Sequence, residues 1–165
     1  MKAKRCFAAV MMCAILCFAA GCTNAEFKDY DNMTVLGNEN RNIGSYQQLI
    51  FSASESSDTL LSVKKLHLSG IEKIMRAAAS EDVKASLKCT YESLEGSFKL
   101  VYSSDGKATI LFDSDKNKSG DIVTVTFPKG SGLIRLVGKP ATVEKLTVTW
   151  EDIDRSKLHL TGCGD

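Results

Sequence analysis

The side chains of this 165-residue chain with most chemistry to offer are six cysteines, two histidines and one cluster of acidic and amide oxygens. Asp113-Ser114-Asp115-Lys116-Asn117 puts oxygen ligands at the first, third and fifth positions of a loop, as calcium-binding loops do, with Asp113, Asp115 and Asn117 as the candidates. The pattern then fails: Lys118 stands at position six, where the turn needs glycine, and Thr124 at position twelve, where a bidentate glutamate belongs. A solvated hairpin loop is the expectation. His67 and His159 have no acid, serine or cysteine at a catalytic spacing, and a thiol inside an alternating strand, as Cys89 is, suits a core or a disulfide better than a nucleophile. Paired carboxylates, zinc spacings, phosphate-binding glycine loops and nucleophile elbows are also missing, so the chain reads as non-catalytic and without a cofactor.

The remaining cysteines sort by position. Lys2, Lys4 and Arg5 form a basic start, and Phe7 to Ala20 is an uncharged run shorter than the roughly 20 residues a spanning helix needs. Residues 1–21 are therefore expected to be a signal peptide. Its end, Phe18-Ala19-Ala20-Gly21-Cys22, resembles the lipobox of bacterial lipoproteins, with small residues directly before the cysteine; Ala19 stands where that family usually has leucine. An ordinary signal peptidase could cut at the same bond. A cysteine at the first mature position favours lipidation, and the resemblance implies that Cys22 carries a diacylglyceryl group that ties the protein to the outer face of the cell membrane. Cys6, Cys13 and Cys17 leave with the leader, so a lipidated Cys22 leaves Cys89 and Cys163 as an even pair in an oxidising compartment. A bridge between them would tie the tail to the sheet and be worth roughly 4 kcal/mol by loop-closure entropy. Removing Lys2, Lys4 and Arg5 from the 21 basic residues leaves 18 against 20 acidic ones, a net −2, which gives no electrostatic case for nucleic acid.

The elements that must position these residues are strands. Residues 22–45 are polar and read as the lipidated cysteine and a tether, with one short strand possible at Met33, Val35 and Leu36. From residue 46 to 165 one domain is expected. Tyr46–Ala53 and Leu60–Leu68 are strand candidates; Ser69–Ala79 carries both a capping-box match and strand-like neighbours, and strand is favoured over a short helix. Val83, Ala85, Leu87, Cys89 and Tyr91 alternate with polar residues, which makes a strand with one buried face. Phe98–Tyr102, Thr109–Phe112, Val123–Phe127, Leu133–Val137 and Leu146–Trp150 follow, separated by glycine, aspartate and serine turns, with Pro128–Gly132 as one of them. Such a series with no long helix predicts an all-β domain of two antiparallel sheets packed face to face.

Gly96-Ser97-Phe98-Lys99-Leu100-Val101, Asp105-Gly106 and Leu133-Ile134-Arg135-Leu136-Val137-Gly138 resemble the small, largely uncharacterised lipoproteins of Gram-positive bacteria that carry a jelly-roll-like β-sandwich. The resemblance covers roughly Leu66 to Trp150. It implies a jelly-roll-like sandwich at the cell envelope and lends no catalytic motif.

Tyr46, Tyr91, Tyr102 and Trp150 all fall in strands and are expected to pack inward, which disfavours an exposed sugar platform. Lys64-Lys65 and Arg135 are expected on solvated strand faces, where they could meet phospholipid headgroups or an anionic wall polymer. The expected function is a non-catalytic binding or interaction module at the envelope. The alternatives are a carbohydrate- or calcium-binding module and an unrecognised envelope enzyme.

Overall fold

Two long strands carry the architecture. In a computed structural model describing residues 27–41, 43–47, 50–53 and 58–162, β3 (Thr59–Ala79) and β8 (Gly130–Ile153) pair antiparallel from Thr59 opposite Thr149 to Ala79 opposite Gly130. Around them lie β1 (Ile43–Gln47), β2 (Ile50–Ala53), β4 (Val83–Glu92), β5 (Glu95–Ser104), β6 (Lys107–Asp113), β7 (Ile122–Phe127) and β9 (Leu158–Gly162). Every pairing among the described residues is antiparallel.

The long pair divides its neighbours into two layers. The first half of β3 and the second half of β8 are flanked by β2 and by β4, with β7 beyond β4. The other halves are flanked by β9 and by β5, with β6 beyond β5, while β1 pairs across the middle of β3. The crease between the halves is marked by Gly70, which lies directly opposite Gly138. Gly70 has φ of +134°, a conformation L side chains rarely adopt, and a Cβ on Gly138 would lie 2.4 Å from the Leu68 carbonyl oxygen. Pro140, which cannot donate to a ladder, sits beside them where the register of β8 shifts against both β3 and β5. The expected separate strands Leu133–Val137 and Leu146–Trp150 are thus one strand, because glycine and proline here bend the chain without stopping it. Part of the expected Pro128–Gly132 turn belongs to that strand as well.

The layers face each other across a single large core. Tyr102 of β5 meets Phe127 of β7 edge to face at 5.0 Å, and Phe127 meets Trp150 of β8 at 6.0 Å. Leu61, Leu87, Leu100, Leu136 and Leu146 fill the interior, and Cys89 and Trp150 point into it as their parity requires. Strand, the favoured reading of Ser69–Ala79, is what the structure contains; Tyr46–Ala53 is two short strands, and Leu158–Gly162 adds one the sequence pattern did not reveal.

The expected tether needs correction. Residues 27–41 fold onto the outer face of the β5–β6 layer, and Met33–Gly37 is a short helix, α1, rather than a strand. Asn32 caps it, accepting from the Val35 N–H at 3.3 Å, and Tyr30 and Leu36 are buried against Ile71, Val101 and Val137. This segment is a strap.

The crease generates a prediction. Gly138→Ala forces backbone to move at a point where two strands cross layers, and should lower stability by about 1–3 kcal/mol in chemical denaturation; an unchanged midpoint would show that the crease has room to give.

Candidate functional site

The strap is held by cations that alternate with core residues along two strands. Phe98, Leu100 and Tyr102 of β5 face the interior, so Lys99, Val101 and Ser103 face outward; Arg135 and Val137 of β8 do the same. In a sandwich with bare outer faces these would be solvated. Here Arg135 is 0% exposed and Lys99 4%, because the strap lies over them. Arg135 therefore does not lie on a solvated face, contrary to the expectation from alternation.

Arg135 closes the far end of the strap. One terminal nitrogen donates to the Asn38 carbonyl at 2.8 Å and to the Arg41 carbonyl at 3.3 Å, and the other to Ser103 Oγ at 2.5 Å. Ser103 Oγ in turn donates to the Leu36 carbonyl at 2.7 Å. These are carbonyls of the last turn of α1 and the residues after it, where a cation is the suited donor; the Asn38 carbonyl also accepts the Arg41 N–H at 3.1 Å. Burial lowers the proton affinity of the guanidinium, with Glu39 acting in the opposite direction. An arginine nevertheless stays charged at neutral pH. The fit is close: a Cβ on Gly37 would lie 2.2 Å from the Gly106 carbonyl oxygen in the β5–β6 turn.

Lys99 closes the near end. Its ammonium donates to Asp31, lies 3.9 Å from Asp113, and sits 4.0 Å from the centre of the Tyr30 ring. The Lys99 hydrogen bond holds the Asp31 carboxyl below its ordinary range, assisted by the Lys99, Lys139 and Lys116 charges and opposed by desolvation. Burial, with the carboxylates of Asp115, Asp113 and Asp31, pushes the Tyr30 phenol far up, so it stays neutral.

The candidate calcium loop is spent on structure. Asp113 is 3% exposed; one carboxylate oxygen accepts the Asp115 N–H at 3.1 Å, and Lys116 lies 3.6 Å from the other. Asn117 Oδ1 accepts the Asp113 N–H at 3.3 Å, Asp115 accepts from Ser97 at 2.6 Å, and Ser114 Oγ accepts the Phe98 N–H at 2.9 Å. Ser119 Oγ bonds both the N–H and the carbonyl of Tyr91. The loop is braced against β4 and β5, and its oxygens do not converge on one point; among the described residues no group of three histidine, cysteine or acidic side chains is placed to hold a metal.

The other candidates are dispersed. Cys89 is a free thiol, fully buried, and burial pushes its pKa up to about 12; Cys163 lies outside the described residues. His67 is exposed and its Nδ1 lies 3.1 Å from Thr142 Oγ1, whereas His159 is exposed beside Ala78. Tyr91 is half-buried and packs edge to face on Phe98 at 5.4 Å; the side chain of Tyr46 lies outside the described residues.

Besides the β3–β9 end, where Arg76, Ala78, His159 and Thr161 are exposed, one sheet face is left open among the described residues, the outer face of the β4–β7 layer. It presents Lys84, Thr90, Thr124 and Thr126 as exposed residues, with Ser86, Lys88, Thr147 and Thr149 half-exposed between them. Adjacent strands match these side chains: Lys84 is opposite Thr126, Thr90 opposite Thr147, and Ser86 Oγ lies 3.0 Å from Thr124 Oγ1. Lys64 and Lys65 are exposed, as expected, and Lys145 pairs with Glu92 at 3.7 Å. The face is flat, hydroxyl-rich and lysine-bearing. No protein-family model matches the chain, and no curated protein is similar to it at a significant level.

The clasp can be tested at each end. Arg135→Leu takes the side-chain donor from the Asn38 and Arg41 carbonyls, leaving the Asn38 carbonyl only the Arg41 N–H; a loss of about 1.5–3 kcal/mol and fast amide hydrogen exchange over residues 33–41 are expected, and retained protection there would show that Arg135 does not hold the strap. Because folding lowers the Asp31 pKa, its contribution is complete above the unfolded value and is lost as pH falls through the folded one. Strap protection should therefore decline below about pH 4, and Asp31→Asn should remove that part of the pH dependence.

Proposed function

We propose that the chain is an exported bacterial lipoprotein, cut before Cys22 and diacylated on that thiol, whose β-sandwich is a non-catalytic interaction module on the outer side of the cell membrane. The observation that carries this reading is the stretch Phe18-Ala19-Ala20-Gly21-Cys22 behind a basic start and an apolar run. Those residues lie outside the described ones; the first described residue, Phe27, is packed and lies on the mature side of the proposed cut. Among the described residues no helix is long and apolar enough to cross a membrane, so in this reading attachment falls to the lipid. Two acyl chains give a durable anchor where one gives a marginal one.

Within this reading the open face of the β4–β7 layer is the contact surface. Its hydroxyls and ammoniums suit a polar or anionic partner, with Ile122, 58% exposed opposite Lys88, as an apolar side chain at its border. The Asp113 loop supports the fold, and the aromatic rings of Tyr102 and Trp150 belong to the core.

Mass spectrometry of membrane-extracted protein should find a mature chain that starts at Cys22 and carries a diacylglyceryl group, and Cys22→Ala should leave the protein in the soluble fraction. An unmodified Cys22 in the membrane fraction would overturn the lipoprotein reading.

A further inference from the structure

A strap in place of a tether changes how close the domain lies to its anchor. Phe27 is half-buried among Tyr30, Leu36 and Val101, and its carbonyl accepts the Tyr30 N–H at 3.2 Å, so the chain is part of the packed domain from that residue onward. Only residues 23–26 separate it from Cys22. Five Cα steps reach at most about 18 Å when fully extended. A free tether of some twenty residues would instead average about 25 Å and reach about 70 Å.

The strap also fixes which edge faces the anchor. Its start lies where Tyr30 and Asp31 meet Lys99, beside the Asp113 loop, and its middle reaches over the β5–β6 turn, where the Asp105 N–H donates to Glu39 and Gly37 abuts Gly106, before Arg41 returns to pair with Asp29 at 3.7 Å. Along β5 these two points, Lys99 and Ser104, are about 17 Å apart. The starting edge bears Lys28 and Lys116, both exposed, and Lys139, which with Lys116 acts on the Asp31 carboxylate. The acids there have partners inside the protein: Asp29 with Arg41, Asp31 with Lys99, Asp113 with Lys99 and Lys116, and Asp115 with Ser97.

We infer that the domain rides directly on the bilayer, with the edge formed by Lys28, Lys116 and Lys139 turned toward anionic lipid headgroups and the β5–β6 turn held away from them. This rests on the acylation of Cys22. The geometry follows from a short linker joined to a docked strap, and the lysines match the charge of the surface they would meet.

Energy transfer from a single fluorophore to headgroup-labelled acceptors tests it. The acylated full chain carrying Cys163→Ser is labelled at Lys116→Cys or at Lys107→Cys, Cys89 being buried, and is placed in phosphatidylcholine vesicles with and without phosphatidylglycerol. Transfer from position 116 should exceed that from position 107 by about two-fold, given the ~17 Å offset, and the excess should be larger with phosphatidylglycerol. A glycine-serine insertion after Asn24 as long as the strap should abolish the excess. Equal or reversed transfer, or an excess indifferent to phosphatidylglycerol, in protein whose Cys22 is shown to be acylated overturns the inference and leaves the lipoprotein reading standing. An unmodified Cys22 in the same sample overturns both.

Discussion

The Arg135 guanidinium and the backbone carbonyls above it set the terms for half of this molecule. An arginine taken wholly out of water is costly unless its donors find acceptors of fixed geometry, and here both terminal nitrogens do while the buried Nε has none. Here those acceptors are carbonyls at and beyond the end of a five-residue helix that is too short to be stable alone. Each side needs the other: the helix end supplies oxygens with no partner in the helix, and the arginine supplies a charge with no access to water. Lys99 repeats the arrangement at the other end with a carboxylate and an aromatic ring. Phe98–Ser104 of β5 and Gly132–Gly138 of β8 are consequently buried on both faces, and the layer they form has no bare side along the strap.

That double burial explains where sequence reasoning succeeded and where it stopped. Alternation is a signal about one face of a strand, and it placed Cys89, Val125 and Trp150 inward because their strands have one dry side and one wet side. Arg135 and Lys99 alternate just as regularly, yet alternation cannot say what covers the second face. The cover comes from a polar segment whose apolar residues are few, Phe27, Tyr30, Met33, Val35 and Leu36, with an asparagine in a capping role at position 32. Such a segment has no periodicity of its own to detect. Its conformation is decided by contacts with residues 99, 103 and 135, far along the chain.

The long strands were hidden for a related reason. Glycine and proline are the strongest punctuation in a sequence, and Gly138 and Pro140 fall between the strands expected at Leu133–Val137 and Leu146–Trp150. In a sandwich whose two layers share strands, the same residues supply a crease. The register continues on either side, with Gly70 facing Gly138 where the backbones come closest. Reading a bend from an end requires the partner strand, which in this chain lies some seventy residues away. Lys118 and Thr124 depart from a calcium-loop pattern in the sequence itself, but the bracing of the Asp113 loop against Phe98 and Tyr91 depends on the same long-range pairing.

The placement of the strap has a consequence for the order of events in making the protein. Chains are synthesised from the N-terminus, so residues 27–41 exist before any of the groups that receive them. Lys99 and Ser103 come about sixty residues later and Arg135 about ninety-five, and the apolar seat needs Val101 and Val137 as well. The first segment to emerge must therefore wait, uncovered, until most of the sandwich has been delivered. A segment that waits benefits from being mostly polar, which is the composition this one has.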